Sequence, residues 1–269
     1  MSQATNAQKF RALHQPGNPV VLPNAGDAAM AALVERAGFP AVATSSAGIA
    51  WARGYPDGEV IRRDAMLNAV REIASAVSVP VSADMETGYG ESPDTVAETV
   101  RLTWAAGAIG LNLEDGVGHA SVIDLERGKD RITAARAASA DMVINARTDV
   151  YFAQEIAPED KLAEAIRRSN TYLEAGADCA FIIAVTSPDD VRTLVQEING
   201  PVNVIGGPGA LDINALTDME ISRVSLGGGM SRAMFGFVDR CLADIRHGGT
   251  LTFLKDGIPH REMNGLLET

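Results

Sequence analysis

From residue 20 to residue 246, short apolar runs alternate with amphipathic helical patterns, and the alternation repeats eight times. Apolar runs fall at 20–23, 40–44, 79–84, 109–113, 142–145, 179–185, 202–205 and 223–226. The helical signals between them carry their own punctuation. Asp27 is a candidate N-cap for a helix with Met30, Leu33, Val34 and Ala37 on one face, and Gly38 suits its left-handed C-terminal end. Ser92-Pro93 opens a helix stacking Val96, Val100 and Trp104, and Ser187-Pro188 opens another with Val191, Leu194 and Ile198. Leu162, Ile166, Ser169 and Leu173 line a helix that Gly176 closes. Near-continuous apolar strands separated by helices imply a parallel sheet covered on both faces. Eight units favour a closed α/β barrel of the (β/α)8 type, expected here as a single domain over 1–269, with a helical C-terminal segment from roughly 240 to 269.

Composition narrows the function. A net charge of −12 disfavours nucleic acid and anionic membrane as partners. No apolar run is long enough to span a bilayer, and the first nine residues lack an apolar signal core. Cys179 and Cys241, each in an apolar-periodic element, read as buried reduced thiols, and the cytoplasm is the expected compartment. His14, His247 and His260, in terminal or helix-end segments, read as surface residues.

Barrel enzymes carry their chemistry at the C-terminal ends of the strands, and the polar residues gather there. The third run ends in Asp84-Met85-Glu86-Thr87-Gly88-Tyr89-Gly90. On a strand, residues i and i+2 point to the same side, so Asp84 and Glu86 can share a cation, and few oxygen ligands with room for water suit Mg2+. The second run ends in Thr44-Ser45-Ser46-Ala47-Gly48, the fourth in Glu114-Asp115, and the fifth in Asn145, Arg147 and Asp149. Acids at successive strand ends repel unless a cation sits among them. Arg147 is the expected bidentate partner of a substrate carboxylate, with an internal pair to Asp115 or Asp149 as the competing reading.

Six segments in register now carry a resemblance: Asn24-Ala25-Gly26-Asp27, Thr44 to Gly48, Gly54-Tyr55-Pro56-Asp57, Asp84 to Gly90, Gly110 to Asp115, and Asn145 to Asp149. Together they resemble the isocitrate lyase/phosphoenolpyruvate mutase superfamily over nearly the whole chain. The resemblance implies a Mg2+-dependent barrel enzyme, with Mn2+ as a substitute ion, acting on a small 2-oxo or 2-hydroxy carboxylate through its enolate. It places Asp84 on the metal, with Glu86, Glu114 and Asp57 on metal-held water. It assigns Ser45, Ser46 and Ala47 to the substrate carboxylate, and it matches Arg147 to the arginine of the fifth strand. It also implies a homotetramer built from dimers that exchange a C-terminal helix.

The departures matter equally. After Glu114 the chain reads Asp115-Gly116-Val117-Gly118-His119-Ala120, without the Cys loop of the lyases or the Lys-x-Asn-Ser loop of the mutases. Ala184 and Ile205 stand where relatives carry His or Asn. What survives is the half-site that polarises an enolate, with His119 as the best candidate to deliver a proton and Tyr89 and Arg53 behind it. The leading expectation is a carbon–carbon lyase or decarboxylase. A phosphonopyruvate or phosphoenolpyruvate mutase or hydrolase is the alternative, and a non-catalytic 2-oxo acid binder the third.

Overall fold

The computed structural model of the chain describes residues 2–118, 120–207 and 209–268. The strands are β1 (Val20–Leu22, resuming past Pro23 as Asn24–Ala25), β2 (Val42–Thr44), β3 (Val81–Asp84), β4 (Gly110–Glu114), β5 (Val143–Thr148), β6 (Cys179–Ile182), β7 (Val202–Ile205) and β8 (Arg223–Ser225). Proline has no N–H to give to the ladder, which is why β1 is read as two pieces. Its first piece pairs in parallel with β8, Val20 opposite Arg223, and its second with β2, Asn24 opposite Ala43. The remaining neighbours follow chain order, so the sheet closes on itself as an eight-stranded parallel barrel.

The helices are α1 (Gln3–Ala12), α2 (Ala28–Arg36), α3 (Ser46–Ala52), α4 (Arg63–Ser75), α5 (Pro93–Ala105), α6 (Leu125–Ala138), α7 (Lys161–Glu174), α8 (Pro188–Glu197), α9 (Ile213–Asp218), α10 (Gly229–Ala243) and α11 (His260–Leu267). The expected caps form. Asp27 accepts from the Met30 amide at 2.7 Å, Ser92 from Thr95 at 3.2 Å, and Ser187 from Asp190 at 3.2 Å. Gly38 takes φ of +87° past the end of α2. Three short elements carried no signal in the sequence reading: α1, α3, and a hairpin pairing Gly116–Val117 with Ser121–Val122. Ala7 and Phe10 of α1 pack on Val20, Leu22, Ala41, Ile109 and Val143, closing the end of the barrel where the strands begin.

The main apolar core lies between sheet and helices, around residues such as Met66, Ile73, Leu111 and Ile144 on one side and Ile182, Leu194 and Val224 on the other. The barrel's interior is polar, contrary to the near-continuous apolar strands expected. Asn145 donates to Asn112 at 2.7 Å, Arg223 reaches the same Asn112 oxygen at 3.3 Å, and Asn203 meets Ser225 at 3.1 Å. Arg223 is wholly buried, its guanidinium 5.8 Å from the ring centre of Phe10. Apolar outward positions had masked these inward ones in the sequence. Among the described residues, no helix is long and apolar enough to cross a membrane.

His14 is a correction. It lies beneath this polar layer at 5% exposure, its Nδ1 3.0 Å from the Phe10 carbonyl and its ring edge-on to Phe10. Burial, helped by the nearby Arg223 charge, pushes its pKa down to about 4. His247 and His260 are exposed, as expected. The folded chain keeps His14 neutral while the unfolded chain protonates it near pH 6.5. Its contribution to stability is therefore complete above that value and is lost as pH falls towards 4, an effect on the order of 3 kcal/mol. Urea unfolding at pH 7 and pH 4.5 should show the parent losing about 2 kcal/mol more than His14→Gln. Equal losses would mean that His14 does not titrate in this way.

Candidate active site

Asp84, the last residue of β3, faces the open end of the barrel at 8% exposure. Thr44 Oγ1 accepts from its backbone amide at 2.8 Å. Ser46 grips its carboxylate: both the Ser46 amide (3.2 Å) and the Ser46 hydroxyl (2.9 Å) donate to Oδ2. The hydroxyl is also 3.3 Å from Asp57 Oδ1, on the loop that follows α3. The other Asp84 oxygen, Oδ1, is buried and has no hydrogen-bond partner.

Ser46 can hold Asp84 because Ser45 starts α3 there. Ser45 is extended (φ −122°, ψ 116°), and its hydroxyl caps the helix by accepting from the Gly48 amide at 3.1 Å. The Ser45 hydroxyl accepts from a helix amide and the Ser46 hydroxyl donates to an acid. Ala47, in the same turn, borders a cavity with Asp57.

Glu86 joins the group by a route different from strand alternation. β3 stops at Asp84, and Glu86 enters a turn with φ of +51°, followed by Gly88 at +89° and Tyr89 at +60°. Left-handed backbone at a non-glycine residue costs roughly 1–3 kcal/mol and gathers at functional sites. The strain is held by Glu59, itself at φ +59°, whose amide donates to Glu86 Oε2 at 2.6 Å. Glu59 Oε1 in turn accepts from the amides of Thr87 (2.9 Å) and Tyr89 (3.0 Å) and from the Thr87 hydroxyl (2.6 Å). Tyr89 donates its hydroxyl to Glu86 Oε1 at 3.3 Å. Burial, then the charges of Asp84 and Asp57, push the Glu86 carboxyl up to about 8.

Glu114 ends β4 facing the same side, since residues 112 and 114 both point inward. Burial pushes its carboxyl well above the ordinary range, against the pull of Arg147. Arg147 Nη1 lies 2.6 Å from Glu114 Oε2 as an ion pair in which no N–H points at that oxygen. The Arg147 fork is bidentate to Asp149, Nε to Oδ1 at 2.6 Å and Nη2 to Oδ2 at 2.8 Å. The expected bidentate grip on substrate is thus already occupied from within. Asp115, one residue past Glu114, points outward and leaves the mouth. It accepts from Thr148 (2.9 Å), Arg168 (3.1 Å), Tyr172 (2.8 Å) and the Asp149 amide (2.9 Å), tying β4 and β5 to α7. His119 lies outside the described residues.

Two cavities flank Asp57. One of about 680 Å3 is bordered by Glu59, Glu86, Glu114, Gly118, Arg127 and Arg131. The other, about 530 Å3, is largely apolar, with Trp51, Phe152, Ala184, Ile205 and Leu226 on its walls. Ala184 and Ile205 thus line a cavity that Asp57 also borders. Glu59 and Arg131 were missed by the sequence reading. Glu59 sits two residues past the Asp57 motif, and Arg131 lies inside a helix with no motif around it.

The acids present fit a hard divalent cation. Asp57, Asp84, Glu86 and Glu114 crowd together, and a buried oxygen of Asp84 is left without a donor. Among the described residues no three His, Cys, Asp or Glu side chains could ligate one ion together. Few protein ligands and several waters is the arrangement Mg2+ prefers.

The model of the phosphoenolpyruvate phosphomutase family matches residues 10–246. The 2-methylisocitrate lyase of Escherichia coli strain K12 is 34% identical over 213 residues, covering 75% of this chain and 70% of that protein. The structure of an oxaloacetate acetylhydrolase in complex with the product oxalate has a TM-score of 0.86 at 25% identity, covering 98% of this chain and 94% of its own. A phosphonopyruvate hydrolase in complex with oxalate and Mg2+ has a TM-score of 0.83 at 28% identity, covering 97% and 94%.

Mg2+ should raise the melting temperature of the parent, and Asp84→Asn should lose that rise while melting no lower than the parent in EDTA, because one crowded charge is gone. Ser46→Ala should keep the rise but need roughly 10–100-fold more Mg2+. Scanning calorimetry across a Mg2+ series reads both. An undiminished rise in Asp84→Asn would place the cation elsewhere.

Proposed function

Because the chain belongs to the phosphoenolpyruvate phosphomutase family, within the isocitrate lyase/phosphoenolpyruvate mutase superfamily, we infer that it is a Mg2+-dependent carbon–carbon lyase or decarboxylase. Its substrate is a small 2-oxo or 2-hydroxy di- or tricarboxylate, cleaved through a pyruvate-type enolate. The observation that carries this reading is Asp84: one oxygen locked by Ser46, the other buried and unpartnered among three further acids.

When bound, Mg2+ supplies Lewis acidity towards the 2-oxo oxygen and the adjacent carboxylate. The chain's own residues do the rest. Asp84 would be the direct ligand, its orientation fixed by Ser46. Asp57, Glu86 and Glu114 are the acceptors that position water around the site. Arg147, anchored by Asp149, holds Glu114 in place and offsets negative charge as the carbon–carbon bond breaks. Ala47 borders the substrate's side of the site, and the walls of Trp51, Phe152 and Leu226 exclude water from the enolate. His119, carried over from the sequence reading, is the proposed proton source. Of the lesser candidates, Arg53 pairs with Glu72 at 3.4 Å and Tyr89 is engaged by Glu86. Phosphonate hydrolysis or mutation is the second reading, favoured by the likeness to phosphonopyruvate hydrolase.

Self-association belongs to the same proposal. Met230, Met234, Phe235, Phe237, Val238 and Leu242 of α10 are exposed, and α11 returns to α2 of its own chain, where Arg36 meets Glu262 at 2.6 Å. The apolar face of α10 suits a second copy, up to the homotetramer that the family resemblance implies.

Hydrogen–deuterium exchange of the pyruvate methyl group, followed by NMR in D2O, tests the chemistry without the true substrate. Exchange should need Mg2+, vanish in EDTA, and fall at least about a hundredfold in Asp84→Asn. Pyruvate that binds without exchanging would overturn the enolate reading.

A further inference from the structure

Arg131, on α6, is a buried cation that the roles above leave unused. It is 5% exposed, yet its Nε and Nη2 have no hydrogen-bond partner. A buried guanidinium without a carboxylate fork is costly, and burial is the leading cause that lowers its pKa. Glu59 and Asp115 favour its charge from nearby, but their hydrogen bonds go to other groups: Asp115 holds Arg168 and Tyr172, and Glu59 holds Thr87 and Tyr89. Arg131 borders the 680 Å3 cavity that also contains Asp57, Glu86 and Glu114. Arg127, one helical turn earlier on the same face, borders that cavity too, half-exposed and 3.3 Å from Glu91. The cavity therefore has an acidic end that suits a cation and, at its other end, a buried guanidinium whose Nε and Nη2 have no partner.

A guanidinium fork matches the geometry of a carboxylate or phosphonate, and its desolvation is already borne in the folded protein. We propose that Arg131 receives the second anionic group of the substrate, the one carried on the carbon next to the 2-oxo group, and so selects 2-oxo acids with two anionic ends over simple ones such as pyruvate. This rests on the enolate reading, in which the first carboxylate and the oxo group sit at the Asp84 end.

Three probes share the pyruvate head and differ at that carbon: pyruvate itself, 3,3-difluorooxaloacetate with a carboxylate, and phosphonopyruvate with a phosphonate. Calorimetric titration of each, with Mg2+, into the full-length parent, Arg131→Met and Arg131→Lys gives the test. At least one dianionic probe should bind the parent about tenfold or more tighter than pyruvate. That advantage should vanish in Arg131→Met and return in part in Arg131→Lys, while pyruvate affinity stays within about twofold. Gain for the carboxylate probe alone identifies a dicarboxylate substrate, and gain for the phosphonate probe alone identifies phosphonate chemistry. Arg131→Met should melt no lower than the parent, since it removes an unpartnered charge and keeps similar volume. If pyruvate binds with Mg2+ but the dianions gain nothing from Arg131, the inference falls and the enolate site stands. If Arg131→Met lowers the melting temperature and weakens all three probes alike, Arg131 is structural and the inference also falls. If pyruvate shows no Mg2+-dependent binding to the parent, the enolate reading falls and this inference with it.

Discussion

Mutual repulsion among the acids at the mouth of the barrel is the constraint around which the rest is organised. Asp57, Asp84, Glu86 and Glu114 come from three different stretches of chain, and burial with like charge works against keeping them ionised together. Three of them are pinned by separate devices. Ser46 clamps Asp84, the strained Glu59–Glu86 contact holds Glu86, and Arg147 braced by Asp149 faces Glu114. A closed parallel barrel makes this possible because strand ends that are distant in sequence become neighbours at one rim.

The same parity that brings the acids inward sends their neighbours outward. Glu114 and Asp115 are adjacent in sequence, yet one faces the mouth and the other joins Arg168 and Tyr172 beneath α7. Arg147 and Thr148 divide in the same way, Arg147 to the site and Thr148 to Asp115. The outward network fixes the relative heights of β4 and β5, and so sets where Glu114 and Arg147 stand. A polar barrel interior of asparagines, serines and Arg223 continues below the site and ends on Phe10 and His14.

Much of this was legible in the sequence. The strand–helix alternation located all eight strands and most of the surrounding helices, because period-two and period-3.6 signals are strong in long elements. The helix α1 escaped, since QATNAQKFRA has no apolar stripe and is held by two residues, Ala7 and Phe10. The helix α3 escaped because Ser-Ala-Gly segments read as loops. At the site, Ser45 and Ser46 were named as candidates from the sequence, but only the fold shows that their hydroxyls meet a helix amide and an acid. Glu86 was expected on the inner face by strand alternation, and it arrives there through a left-handed backbone that no spacing rule encodes. His14 looked like a terminal surface residue because burial by a barrel end is a long-range event.

The most direct test of a cation site centred on Asp84 is anomalous diffraction from crystals grown with Mn2+ and oxalate. The account requires one strong peak in contact with Asp84, with oxalate on its open side and water between the ion and Glu86, Glu114 and Asp57. A peak bound directly by Glu86 or Glu114 but not by Asp84, or oxalate seated away from the ion, would contradict it.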